Sequence, residues 1–354
     1  MRPAKALIDL GALRHNYALA RRLHGGKALA VVKANAYGHG AVVCAHALAD
    51  LADGFAVACL EEAEGLRAGG ITAPILLLEG VFEVSEWARA DALGLWVVVH
   101  QAEQLEMLAA CRPKRPIPVW MKFNSGMNRA GLPLARLPAL HAQLAGDPKV
   151  ASVTLMSHFA RADEPECDET RRQFERLRAA MEGVPAPVSI CNSAGILGWP
   201  GIRGDWARPG IMLYGADPMP GEGHGLRPVM QLGSRIMAVR QLSAGDPVGY
   251  GARFVAPRPM RIGLVAMGYA DGYPRAVPDG APVVVAGQRT RIVGRVSMDM
   301  LTVDLEGIDA DVGSPVELWG GAVSVNEVAA VAGTIAYELL CNVKRVAFEY
   351  VQPA

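Results

Sequence analysis

Short, uniformly apolar runs alternate along this chain with longer stretches in which apolar residues recur every three or four positions. Runs at 28–32, 54–58, 75–78, 95–99, 117–121, 153–156 and 188–190 have the length and side-chain types of buried strands, and Asp205-Trp206-Ala207-Arg208 supplies an eighth candidate. Between them, 12–24, 41–51, 60–68, 84–90, 102–111, 134–145 and 168–182 show helical spacing. In the first of these, Leu13, Tyr17, Ala20 and Leu23 share one face and the other is basic and polar, as in an outer-layer helix. Eight strands separated mostly by helices imply parallel neighbours with right-handed crossovers. The pattern therefore predicts an α/β fold built on a closed (β/α)8, TIM-type barrel.

Near residue 218 the rhythm changes. A Pro/Gly-rich hinge is expected over 218–228, then strands over 234–241, 261–266, 282–286, 291–296, 301–305, 316–319 and 345–351, interrupted by one helix over 325–332. We read two domains: a barrel over 11–218 and a mainly β domain over 219–354. Residues 1–10 are assigned to the second, because the barrel has its eight strands without them.

Composition narrows the partners. The 354 residues carry 35 Lys plus Arg against 35 Asp plus Glu, so no net field recommends nucleic acid. Six cysteines are scattered without a CxxC or a His/Cys cluster, which argues against zinc and disulfides and for a reducing cytosol. His46 and His141 fall on helix faces and read as solvated, so no metal is expected. No hydrophobic signal core opens the chain and no run reaches the ~18 apolar residues of a membrane span, so a cytoplasmic protein with no membrane partner is expected.

In such barrels reactive groups sit at the C-terminal ends of strands. The first strand stops at Lys33, with Tyr37 a turn later. Desolvation there would push the amine towards use as a base or nucleophile, although a lysine reaching into water is the bland alternative. The fifth runs into Lys122-Phe123-Asn124-Ser125-Gly126-Met127-Asn128-Arg129, the sixth into Ser157-His158-Phe159, the seventh into Cys191-Asn192-Ser193-Ala194-Gly195 and the eighth into Arg208-Pro209-Gly210-Ile211. The last two turns have the amides and hydroxyl of a phosphate cradle. A cradle facing a lysine, without Gly-x-Gly-x-x-Gly or a Walker lysine, points to a phosphorylated aldehyde bonded to that amine, pyridoxal 5'-phosphate.

Val31-Val32-Lys33-Ala34-Asn35-Ala36-Tyr37-Gly38-His39-Gly40 resembles the cofactor-attachment signature of bacterial alanine racemases. The likeness continues through Gly126-Met127-Asn128-Arg129, Ser157-His158-Phe159-Ala160, Arg208-Pro209-Gly210-Ile211, Val248-Gly249-Tyr250-Gly251, Gly268-Tyr269-Ala270-Asp271-Gly272 and Gly294-Arg295-Val296-Ser297-Met298-Asp299. It implies a head-to-tail homodimer with shared active sites that interconverts L- and D-alanine, for peptidoglycan or for alanine catabolism. The compact length is similar to that of catabolic members.

The resemblance also implies roles. Lys33 would hold the cofactor and exchange the proton on the D face, and Tyr250 of the other subunit would serve the L face. Tyr37, Ser193, Gly210 and Ile211, with Asn192 beside them, would bind the phosphate. Arg208 would face the pyridine nitrogen, with His158 packed against it. Arg129 and the backbone amide of Met298 would orient the substrate carboxylate, and Tyr269 would narrow the entrance. Lys122 matches a position that carries a carbamate in some members, yet residue 124 is Asn where an acid is frequent. The family's further phosphate-side tyrosine has no counterpart in 340–346. His39 belongs to the signature without an evident chemical task; stabilising the turn is an equal reading.

Two bases on opposite faces suit racemisation. Burial lowers a lysine pKa but raises that of a tyrosine, so Tyr250 requires a cationic or donating neighbour. An arginine cannot readily lose its proton, so Arg208 would leave the ring nitrogen unprotonated and favour reprotonation at Cα over transamination. The rival readings are a pyridoxal-phosphate decarboxylase of basic amino acids or diaminopimelate, and a non-catalytic carrier barrel of the same cofactor.

Overall fold

The computed structural model describes residues 2–219 and 223–352. Part of the expected hinge, 220–222, lies outside them. Barrel closure depends on the strand that leads to Lys33. Its first half, Lys27–Ala28, pairs with Trp206–Ala207, and its second half, Ala30–Val31, pairs with Phe55–Val57. The amides of Lys27, Leu29 and Val31 reach the carbonyls of Asp205, Ala207 and Pro209 at 3.0, 2.9 and 3.1 Å, while those of Ala30 and Val32 reach Gly54 and Ala56, both at 2.9 Å. One short strand thus bonds alternately to both neighbours and shuts the ring.

The other staves are Ile75–Leu77, Trp96–Val99, Ile117–Asn124, Val150–Met156 and Val188–Ser189, all parallel, and the expected TIM-type barrel is present. Their apolar residues are almost wholly buried, as expected of strands covered on both faces. Trp96, Trp120 and Trp206 stand on strands that are not all adjacent, yet their rings lie 5.5–5.9 Å apart. They can meet only inside the ring, and they fill it away from the Lys33 end. Chemistry is left the other mouth.

The second sheet runs in the order Gln288–Arg291, Pro282–Val285, Pro315–Trp319, Met230–Leu242, Lys5–Asp9, Ala347–Val351. The Lys5–Asp9 strand lies antiparallel to Met230–Leu242 and parallel to Ala347–Val351, so residues from both ends of the chain sit side by side. The far half of Met230–Leu242 pairs instead with Met260–Val265, which pairs with Leu301–Asp304. Asp9 ends its strand by capping the Leu10–His24 helix, its carboxylate accepting from the Ala12 amide at 2.8 Å.

Three expectations are corrected. The strand placed at 291–296 is Gln288–Arg291, paired with Pro282–Val285 across a tight turn in which Ala286 and Gly287 have positive φ. Ile292, Val293 and Val296 are apolar because they are buried, and of these only Ile292 retains a bridge, to Val303. The second domain has a further helix, Ala336–Cys341, whose buried Ala336, Leu339 and Leu340 follow helical spacing over too few residues to show a period. A short helix, Ser193–Gly198, also follows directly on the seventh barrel strand. No helix among the described residues is long and apolar enough to cross a membrane.

Candidate active site

Lys33 stands where the first barrel strand ends, and the backbone then does something unusual. Ala34, Asn35, Ala36 and Tyr37 all have φ between 51° and 55°, a left-handed turn made without glycine. Each such residue costs about 1–2 kcal/mol relative to the right-handed form, so outside contacts must hold the turn. Glu62 accepts from the amides of Ala34 and Ala58, each at 2.7 Å. Asn35 Oδ1 accepts from the Ala41 amide at 2.8 Å. His39 is fully buried, pushed down to about 4 by burial, and its Nδ1 lies 2.9 Å from the carbonyls of Ala36 and Tyr37. The neutral ring therefore donates to them, and the turn-stabilising reading accounts for this residue.

The turn throws Tyr37 across the mouth. Its ring stacks on Tyr214 at 4.8 Å, burial raises its phenol pKa, and its hydroxyl remains a donor. A Cβ on Gly210 would lie 2.5 Å from that hydroxyl oxygen, so only glycine permits the approach. Ser193 Oγ accepts from the amides of Gly210 and Met212 at 2.9 and 3.3 Å, which leaves the hydroxyl proton free to be given away. Asn192 caps the following helix, accepting from the Gly195 amide at 2.9 Å, and Ile211 is buried at the start of the next turn. Two donor hydroxyls beside a stripped backbone form a pocket suited to phosphate, so the residues present fit the implied cofactor.

Arg208 is 4% exposed. Nη2 donates to the Ser157 carbonyl at 2.7 Å and to His158 Nδ1 at 3.3 Å, and Nη1 donates to Ser189 Oγ. Burial brings the guanidinium down to about 10, so it stays charged at neutral pH. His158 is held well below the usual imidazole range by burial and by Arg208, Lys122, Arg129 and Lys33, which keeps its Nδ1 an acceptor. Lys122 is pulled down to about 8 by burial and by Arg208, Arg129 and Lys33. Sequence-predicted Lys33, Lys122, Arg129, His158 and Arg208 thus share one positive field.

Asn124, the departure from the acidic pattern, folds the loop that carries Arg129. Its Oδ1 accepts from the amides of Gly126 and Asn128, both at 3.0 Å, and its Nδ2 donates to Asn128 Oδ1 at 2.8 Å. Tyr250, Tyr269 and Met298 belong to the second domain and are 69%, 37% and 53% exposed. The last two share a face, because the amides of Tyr269 and Ala270 donate to the carbonyls of Ser297 and Met298, both at 3.0 Å.

Sequence reasoning missed Tyr337. It lies on the Ala336–Cys341 helix, three residues before 340–346, with its ring 6.0 Å from Tyr37. The helix packs tightly on the turn after Lys33: a Cβ on Gly38 would fall 2.2 Å from the Leu340 carbonyl, a contact between distant segments that no local pattern announces.

Comparison with known proteins gives this geometry a lineage. The family model "Alanine racemase, N-terminal domain" matches residues 8–218 and "Alanine racemase, C-terminal domain" matches 229–350. An alanine racemase of Azoarcus sp. (strain BH72) is 64% identical over 351 residues, covering 99% of each chain. The crystal structure of a biosynthetic alanine racemase from Pseudomonas aeruginosa superposes with a TM-score of 0.96 at 51% identity, covering 99% of this chain and 100% of that one. An alanine racemase from Bartonella henselae, solved with covalently bound pyridoxal phosphate, gives 0.91 at 30% identity over 99% and 100%. Matched in both halves, in order and along nearly all its length, the chain belongs to the alanine racemase family.

Proposed function

We propose that this chain interconverts L-alanine and D-alanine with pyridoxal 5'-phosphate carried on Lys33, as a cytoplasmic homodimer. The observation that carries the reading is the placement of Lys33 at a strand's C-terminal end, directly before the turn that brings Tyr37 onto the Ser193–Gly210 cradle. The working division is a barrel over 11–218 and a β domain over 219–354 with residues 1–10. The pairing of Lys5–Asp9 with Met230–Leu242 and Ala347–Val351 supports it.

The bound coenzyme supplies an electron sink that acidifies the Cα proton of an attached amino acid. The chain does the rest. Tyr37 and Ser193 donate to the phosphate, helped by Gly210, Ile211 and the nearby phenol of Tyr337. Arg208, anchored at Ser157, His158 and Ser189, presents a cation that does not surrender its proton to the ring nitrogen. Arg129 and the Met298 amide of the other subunit orient the carboxylate, and Tyr269 narrows the approach. Lys33 Nζ moves the proton on the D face, Tyr250 Oη of the other subunit on the L face. Entering a mouth lined by Lys33, Lys122, Arg129 and Arg208, that phenol meets the cationic field it requires.

Lys122 is proposed to carry a carbamate. Its ammonium, with a pKa brought down to about 8, gives one proton to water; the free amine adds to carbon dioxide, an N–C bond forms as a C–O π bond opens to the carboxylate, a second proton leaves to water, and a positive group beside Arg129 becomes negative. Catalysis is tested by incubating the holoprotein with L-alanine and resolving the enantiomers. D-alanine should accumulate until the two are equal. No D-alanine, or carbon dioxide from diaminopimelate instead, would overturn the reading.

A further inference from the structure

A buried polar chain outside the cofactor cradle reaches Arg208 from behind. Gln173, on the Glu169–Ala180 helix, is 0% exposed and fully engaged. Its Oε1 accepts from the Ala160 amide at 2.8 Å; its Nε2 donates to the His158 carbonyl at 3.0 Å and to Ser125 Oγ at 3.3 Å. Rotating the amide by half a turn would set oxygen against carbonyl and nitrogen against N–H, so its orientation is fixed.

From there the bonds run one way. Ser157 Oγ gives its single proton to the Phe123 carbonyl at 2.9 Å, so at 2.7 Å from Ser125 Oγ it can only accept. Ser125 therefore donates to Ser157 and accepts from Gln173. Both serines are 1–2% exposed. One helical turn on, Arg176 donates to the Ser125 carbonyl at 2.7 Å. The helix comes this close because residue 126 is glycine at φ 144°: a Cβ there would lie 2.5 Å from Arg176 Nη1 and 3.2 Å from Gln173 Cγ. Gln173 pins the 157–160 segment directly at His158 and Ala160 and, through Ser125, at Ser157, and that segment holds Arg208 through the Ser157 carbonyl and the His158 ring.

We propose that Gln173 is a positioning residue for the racemisation reaction: acting through Ser125, Ser157 and His158, it fixes the aim of the Arg208 guanidinium without touching cofactor or substrate. The inference rests on the racemase reading above. A misaimed guanidinium weakens control of the ring nitrogen and leaves the phosphate cradle intact, while the loop that carries Arg129 keeps its Asn124 and Arg176 bonds. Loss of Gln173 should therefore be felt in turnover and product partition rather than in binding.

The test uses holoenzyme carrying Gln173→Met, close in length but unable to hydrogen-bond, and Ser125→Ala, which removes one hydroxyl and spares both backbone bonds of Gln173. Gln173→Met should lower kcat on the order of 10- to 100-fold, the scale of a displaced catalytic group. KM for L-alanine should stay within about twofold, and the fraction of turnovers ending in pyruvate should rise. The Kd for pyridoxal phosphate, read by equilibrium dialysis, should not change, while hydrogen exchange at the Ala160 amide should speed up. In an Arg208→Lys background Gln173→Met should have almost no further effect on kcat, because both act at one point. Should Gln173→Met not fold, Ser125→Ala must show the same partition shift in smaller measure. Wild-type kcat and partition in both variants, or effects that multiply fully with Arg208→Lys, would overturn the assignment. A wild-type protein that makes no D-alanine would instead sink the racemase reading, and this inference with it.

Discussion

Lys122 is the mouth's most unsettled charge. Its ammonium is disfavoured in the folded state by burial and three neighbouring cations, bringing its pKa from 10.5 to about 8. Below pH 8 both folded and unfolded chains hold the proton and the folded one bears the full repulsion. Between pH 8 and 10.5 the unfolded chain binds more protons, so stability from this group rises with pH. In buffer free of carbon dioxide, Lys122→Gln should raise the melting temperature at pH 7 and lose that advantage as the pH approaches 10.5. Carbon-13 bicarbonate should add a carbamate resonance to the wild type and not to the variant. At Arg208, substitution by glutamate replaces a fixed cation with a group that can protonate the ring nitrogen. Arg208→Glu should cut racemisation on the order of 100-fold or more, as loss of a preorganised electrostatic contact does, and raise pyruvate formation. Unchanged partition between D-alanine and pyruvate would contradict the role assigned to it.

Among the elements, the left-handed turn after Lys33 explains both what was legible in the sequence and what was not. The apolar run ending at Lys33, Tyr37 and the two glycines could be read directly, and they located the site. Nothing in Ala34-Asn35-Ala36 announces positive φ, because three of the contacts that impose it come from Glu62, Ala41 and His39, outside the turn. Ala34 is exposed and its side chain has little packing to lose, so backbone preference can be tested there alone. Ala34→Val, β-branched in a left-handed site, should destabilise the protein by about 1–2 kcal/mol in denaturant unfolding, whereas Ala34→Gly should be neutral or stabilising. Equal effects would mean that the turn is not strained. The Ala336–Cys341 helix escaped for a different reason: six residues hold fewer than two helical turns, so Tyr337 had no periodicity to place it. The barrel strands were legible as apolar runs because they are largely buried on both faces, whereas the largely exposed Gln288–Arg291 strand has no apolar run and the buried loop at 292–296 does.

For the whole molecule, the barrel mouth collects Lys33, Arg129 and Arg208 while Tyr250 and Met298 stay open on the second domain, and the proposed sharing of sites between two copies can be tested directly. Mixing inactive Lys33→Ala protein with inactive Tyr250→Phe protein should restore D-alanine formation, since half of the sites in each hybrid would hold an intact pair. Subunit exchange without recovery would rule out sharing. The placement of Lys5–Asp9 between Met230–Leu242 and Ala347–Val351 has a consequence in time. At ~5–20 residues per second, synthesis leaves one rim of that strand bare for roughly 20–70 s before its parallel mate emerges, long after the barrel segments are available to close. The barrel can thus mature on the ribosome while the sheet waits. Interrupted translation would yield a chain with a closed barrel and a sticky, half-zipped flank, ready for a chaperone or for self-association.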